Sequence, residues 1–209
     1  MTMFPVLVDG NREPAPCKWI IIGEAPGKRE LRQHPPRKPF IGRAGDLLYA
    51  TLWRERAEHA SVYVTNAFKG DVFEPSDRHH RPTANELKDH FDVLKNEIRV
   101  VAPEIILTLG APATHVLLPD LVPKPESPIC STKSGIDLLG RVYQSPRVHP
   151  RVMPCYHPSF VLRGGMPREQ FAAIIRNFLD WKAGQAATWK LPASICEALR
   201  ADPWKDMGR

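Results

Sequence analysis

Three short apolar runs punctuate the first half of the chain: "WIII" at Trp19 to Ile22, "SVYVT" at Ser61 to Thr65 and "EIILTLG" at Glu104 to Gly110. Runs of this length read as strands buried on both faces, which requires a sheet covered by helices on each side. The intervening segments are long enough for crossovers and carry helical spacing. Gly45 to Glu58 sets Leu47, Leu48 and Leu52 on one side and charge on the other. Thr83 and Glu86 form a capping box, which predicts one helix through Phe91, Leu94 and Ile98 to about Val101. "APATHVLL" opens a further helix, "RVYQSP" and "RVMPCYHP" read as two short strands, and "MPREQFAAIIRNFLDWKAG" as an amphipathic helix with Gly184 near its C-cap.

Strands alternating with helices predict an α/β fold: a single-domain three-layer α/β/α architecture with a mainly parallel central sheet. The one domain spans residues 1–209, with 1–17 as an N-terminal lead and 121–139 as an insertion or long loop. A chain of 209 residues, 43% hydrophobic and 25% charged, suffices for one proper core. The formal net charge of +6 favours a polyanionic partner. No apolar run approaches the roughly 20 residues needed to cross a bilayer, and the first residues lack the uninterrupted apolar segment of a signal peptide. The expectation is a cytoplasmic monomer that makes no membrane contact. Cys17, Cys130, Cys155 and Cys196 are scattered without a C-x-x-C, which predicts reduced thiols and no metal site.

In parallel sheets ligands sit at the carboxyl ends of the strands. Three polar clusters fall there, Gly23 to Gly27, Asn66 to Lys69 and Tyr156 to Arg163, and together they nominate one site. The first, "GEAPG", is not a phosphate-binding P-loop, because its glycines are too close together and no Ser or Thr follows the Lys. On its own it reads as a tight turn.

In order along the chain, "GEAPGKRE", "KPFIGRAGDLL", "YVTNAFK", "RPTANEL", "APEIILTLGAPA" and "YHPSFVLR" resemble the motifs of the uracil-DNA glycosylase superfamily, most closely its family 4 branch. The resemblance covers roughly Trp19 to Arg163. It implies a monofunctional DNA glycosylase of base excision repair that flips uracil out of uracil-containing DNA, hydrolyses the N-glycosidic bond and leaves an abasic site. By the same resemblance Phe40 stacks on the flipped ring, Asn66 reads the uracil edge, and His157 donates to uracil O2 as charge collects on the leaving base. Gly23 and Ala25 contribute the loop wall of the uracil pocket, and Glu24 positions the water, since Ala25 stands where the best-known branch has an Asp. Val161, Leu162 and Arg163 form the wedge that enters the minor groove, with Ser159 and Lys69 on flanking phosphates. The run Asp77 to Arg81 is a weaker phosphate-binding candidate. Gly27 replaces the Tyr that excludes the thymine methyl in that branch, and Glu30 is the candidate to crowd the methyl pocket instead.

Family 4 members carry an iron-sulfur cluster on four cysteines. Here the position after Lys69 is Gly70, the helix position is His90, and only Cys17 precedes the first strand, so no cluster and no other cofactor is expected. Two other readings stay open. One is a protein of the same superfamily that binds uracil-DNA or abasic sites without turnover, with His79 and His80 in the neighbourhood of a reactive loop. The other is a small-molecule enzyme of similar fold, which leaves Asn66 and His157 unexplained.

Overall fold

A computed structural model of the chain describes residues 10–55, 57, 61–73, 80–131 and 133–182. The expected helix cap at Gly184, the run from Asp77 to His79 and Cys196 lie outside them. Four parallel strands form the centre: β1 (Trp19–Gly23), β2 (Val62–Asn66), β3 (Ile105–Leu109) and, late in the chain, β7 (Arg151–Cys155). Their order is β2-β1-β3-β7-β6, and β6 (Tyr143–Gln144) closes one edge antiparallel to β7. The sheet is thus mainly parallel, as expected.

Alternation along each strand sorts side chains between two cores. Ile21, Val62, Val64, Ile105, Leu107 and Met153 face one layer, built from α2 (Arg43–Arg54), α6 (Pro158–Leu162) and α7 (Arg168–Asp180). Ile20, Ile22, Tyr63, Ile106 and Val152 face the other, built from α3 (Ala84–Asp89), α4 (Phe91–Val101) and α5 (Ala111–Leu117). Because both faces are covered, Ile20, Ile21 and Ile22 are all fully buried, which is why the run shows no polar alternation. Each such side chain contributes on the order of 1.5–3 kcal/mol of transfer free energy.

Two expectations need correction, and one element was not anticipated. A single turn of helix, α1 (Lys28–Leu31), follows the GEAPG loop. Its four residues are too few to show a period. The segment 121–139 is not merely a loop: it holds the small antiparallel pair β4 (Cys130–Ser131) and β5 (Ile136–Asp137), and Val122, Ile129 and Leu139 anchor it in the core. The helix predicted from Thr83 to Val101 is two helices. The capping box at Thr83 is present, but His90 ends α3 and begins α4 at φ −96° and ψ −4°. The ring of His90 turns inward, edge-on to Phe68 at 4.5 Å between centroids, so a polar residue on a helical pattern has become part of the core. No helix among the described residues is long and apolar enough to cross a membrane.

Burial, reinforced by the neighbouring Lys69 ammonium, holds the His90 imidazole below its ordinary pKa. The unfolded chain therefore takes up a proton near pH 6.5 that the folded chain refuses, and stability falls as pH drops below that value. Melting temperature measured from pH 7.5 to 5 should decline in the wild type, and a His90→Phe variant should decline less steeply.

Candidate active site

The carboxyl ends of β1, β2 and β7 converge, and backbone hydrogen bonds lock the loops that leave them. The amide of Ala67 donates to Gly23 O at 2.9 Å and that of Phe68 to Glu24 O at 3.0 Å, which ties the loop after β2 to the loop after β1. The amide of Gly110 donates to Cys155 O at 2.8 Å and does the same for β3 and β7. Between these loops lies a cavity of about 490 Å³. Glu24, Ala25, Phe40, Asn66, His157 and Arg163 are among its lining residues, so residues from each of the three polar clusters line one cavity.

Gly23 is fixed by crowding. A Cβ there would lie 2.5–2.6 Å from atoms of the Phe40 ring and closer still to the side-chain oxygen of Asn66. Phe40 itself holds φ at +58°, a left-handed conformation that a bulky residue adopts only when its surroundings impose it. Part of the imposition comes from Gly45 at the start of α2, where any side chain would strike the Phe40 carbonyl. The Phe40 ring is buried, 5.7 Å from the His157 ring and tilted 32° to it.

Asn66 ends β2 directly opposite Gly23 and is 2% exposed. Its Oδ1 has no hydrogen-bond partner among the described residues. A buried amide oxygen left so costs about 1–3 kcal/mol, and a ligand donor in the cavity removes that cost. His157 caps α6. Its Nδ1 accepts from the Ser159 amide at 3.2 Å and lies 2.8 Å from Ser159 Oγ. An amide can only donate, so Nδ1 carries no proton, and the neutral ring holds its proton on Nε2.

Glu24 brings the negative charge. Burial pushes its carboxyl above the ordinary range, while the guanidiniums of Arg81 and Arg163 pull in the other direction. Glu30, at the far side of the GEAPG loop, is also buried. Its Oε1 accepts from the Ile41 amide at 3.0 Å, and its Oε2 stands 2.7 Å from where a Cβ on Gly27 would be.

Two of the expected DNA-contacting residues are elsewhere. Lys69 is 1% exposed, with Nζ 2.9 Å from Glu97 Oε2 on α4 and hydrogen-bonded to Thr65 Oγ1. Thr65 in turn donates to Glu97 at 3.1 Å, so the ammonium is committed to a buried triad and cannot reach a phosphate. Val161 is buried in the α6 layer and is no part of a wedge. Leu162 is half-buried and Arg163 exposed, which leaves the last two residues of that motif at the surface. Ser159 lines the cavity but is engaged with His157. Cys155 is buried and its thiol pushed far up by that burial, consistent with an inert role. Of the residues not singled out from sequence, Lys28, Arg29 and Arg43 line the cavity. The first two stand within the quoted GEAPGKRE motif, but nothing in their spacing marks them.

The positions at which family 4 holds its cluster do not suit it here. Gly70 offers no ligand, His90 packs on Phe68, and the Cys17 thiol donates to Trp19 O at 3.2 Å. Among the described residues no group of three or more His, Cys, Asp or Glu side chains could hold a metal ion.

The chain is thus an α/β protein with a mainly parallel sheet covered on both faces, and the cavity at its strand ends is walled by an aromatic ring, a buried amide oxygen and an imidazole. The family model of the uracil DNA glycosylase superfamily matches residues 11–179, and the chain belongs to that superfamily. Among its relatives, the type-4 uracil-DNA glycosylase of Thermotoga maritima is 31% identical over 158 residues, 76% of this chain and 71% of the relative. The type-4 enzyme of Pyrobaculum aerophilum is 31% identical over 161 residues, 76% of this chain and 75% of the relative. That of Archaeoglobus fulgidus is 30% identical over 160 residues, 76% and 73%.

Removing one partner of a buried ion pair strands the other charge, at about 3–5 kcal/mol. Denaturant titration of Lys69→Met should show a loss of that order, and Lys69→Met/Glu97→Leu should regain most of it. Gly23→Ala should fold but lose the cavity, read as a loss of uracil binding in a titration that the wild type passes.

Proposed function

We propose that this protein excises uracil from DNA as a monofunctional glycosylase: it flips the base into the cavity, hydrolyses the N-glycosidic bond and leaves an abasic site. The observation that carries this reading is the buried, unpartnered Oδ1 of Asn66 beside the Phe40 ring and the His157 imidazole. Membership of the superfamily and the likeness to type-4 uracil-DNA glycosylases support it.

Uracil stacks on Phe40. Its N3–H donates to Asn66 Oδ1, and the Asn66 amide donates to O4. Cytosine presents the reverse pattern, leaving donor against donor and acceptor against acceptor, so it is refused. The bond from C1′ to N1 breaks with its electron pair passing to the base, and Nε2–H of His157 donates to O2, where the negative charge gathers. A neutral imidazole suffices for this because the hydrogen bond strengthens with the charge. Water bonds to C1′, and Glu24 orients it, accepts its proton and stabilises the cationic sugar. Glu30 fills the space beside Gly27 and limits room for a 5-methyl group. Leu162 and Arg163 occupy the gap left in the duplex. The activity is proposed to need no iron-sulfur cluster, metal or other cofactor, in a monomer acting in the cytoplasm on uracil-containing DNA.

A labelled oligonucleotide with one uracil, incubated with the protein and treated with alkali, should be cut at that site. An uncut strand at stoichiometric protein overturns the reading, and an adduct that survives a denaturing gel assigns binding without turnover. Glu24→Gln should lower the single-turnover rate by about 10²–10⁴, and His157→Ala by about 10²–10³. In neither should the melting temperature fall to match.

A further inference from the structure

Arg81 belongs to the run that the sequence ranks lowest, yet its surroundings hold it firmly. Glu86, in the first turn of α3, clamps the chain on both sides of it. Its Oε2 accepts from the amide and the hydroxyl of Thr83, each at 2.8 Å, and its Oε1 lies 3.2 Å from Nε2 of His80. The His80 amide donates to Val72 O at 2.9 Å, and the intervening Pro82 is buried with its φ restricted by the ring. Arg81 is therefore presented from a fixed support, and its Nε lies 4.0 Å from Glu24 Oε1. Its side chain is half exposed, so it reaches the mouth of the site and is not part of the core.

Glu24 needs such a neighbour. Its side chain is 19% exposed, and a carboxylate with so little water stays charged only with a cation beside it. The opposing influences on its proton affinity are burial first, then Arg81, then Arg163. Other charged or titratable groups round the same cavity are Lys28, Arg29 and Glu30 from α1, Arg43 from α2 and His157 at the head of α6. Arg163 is exposed at the end of α6, in the segment proposed above to enter the duplex, where DNA phosphates would compete for its charge.

We propose that Arg81 is a positioning residue of the hydrolysis: from its clamped loop it keeps the Glu24 carboxylate ionised and aimed into the cavity while DNA is bound. The inference rests on Glu24 acting upon the water, as argued above. It separates the two arginines, Arg163 serving the DNA and Arg81 serving the carboxylate.

The test compares single-turnover rate against pH for wild type, Arg81→Gln, Arg81→Lys, Glu24→Gln and the double variant Glu24→Gln/Arg81→Gln, on one uracil-containing oligonucleotide at fixed salt. An ionised Glu24 makes the rate rise with pH, and without the cation that rise comes at higher pH. The expected result is a loss of about tenfold on the acid side for Arg81→Gln, with the acid limb displaced to higher pH. KM should be nearly unchanged, Arg81→Lys should recover most of the rate, and Arg81→Gln should add no loss in the Glu24→Gln background. A raised KM with a shallower salt dependence and an unmoved acid limb overturns the inference and makes Arg81 a phosphate contact. If Glu24→Gln is inactive while Arg81→Gln keeps the wild-type profile, this inference falls and the role of Glu24 stands. If Glu24→Gln keeps the wild-type rate, both fall. Should Arg81→Gln melt early, the profile of Arg81→Lys decides: a limb at or close to the wild-type position supports the role, and a raised KM with wild-type pH dependence overturns it.

Discussion

The site depends on the approach of three groups at the end of β1. Gly23 lies opposite Asn66 in the parallel register, and because it has no side chain the Phe40 ring and the Asn66 amide oxygen can both stand where a Cβ would be. A second glycine, Gly45, makes room under the Phe40 carbonyl and lets that residue hold a positive φ. The aromatic wall, the unsatisfied amide and the imidazole tilted over the ring are therefore set by backbone proximity within rigid elements. Such a pocket is formed before the ligand arrives, so little ordering remains to be done on binding.

Among the described residues, the carboxylates of Glu97, Glu86, Glu30 and Glu24 lie around the loops that carry the cavity, and their partners set them different tasks. Glu97 is neutralised by Lys69 in a closed triad and serves packing alone. Glu86 is partly buried, but hydrogen bonds from Thr83 and His80 outweigh that burial and hold it below the ordinary carboxylate range. Its charged form is thereby favoured, which suits it to clamping a loop. Glu30 is spent on the Ile41 amide and on filling space beside Gly27. At Glu24 burial wins against the nearby cations. A carboxyl whose proton affinity is raised in a cavity beside a polarised substrate is the one suited to take a proton from water.

What the sequence disclosed follows from which interactions are local. The central strands were legible because β1 and β3 are buried on both faces and so lost all polar alternation, and the capping box at Thr83 declared itself within four residues. The split at His90 was not, because a histidine on a helical pattern is neutral evidence until the Phe68 ring, distant in sequence, draws it inward. Glu24, Phe40, Asn66 and His157 were found through the order of their motifs and line one cavity, while Gly23 packs against Phe40 and Asn66. Lys69 was misread for the opposite reason: the motif suggested an exposed cation, and the partner that buries it, Glu97, is 28 residues away on another helix. Val161 fails likewise, since within a short surface motif nothing marks which of three consecutive residues turns to the core.

The same long-range contacts explain how the loop after β2 is held. Phe68, Val72 and Leu87 are buried together, His90 closes over Phe68, and the Lys69 ammonium is paired beneath them. These restraints act on the segment that follows Asn66, whose amide must not shift by more than a fraction of an ångström if it is to read a base. They also differ from metal ligation in kind. An ion pair and a neutral imidazole lie side by side in the core, and protonating that imidazole would set a second cation next to Lys69. The loop that carries Phe68 and follows Asn66 therefore packs on a residue whose neutral form burial and Lys69 favour, so on the function proposed above acid should weaken base recognition as it weakens this packing.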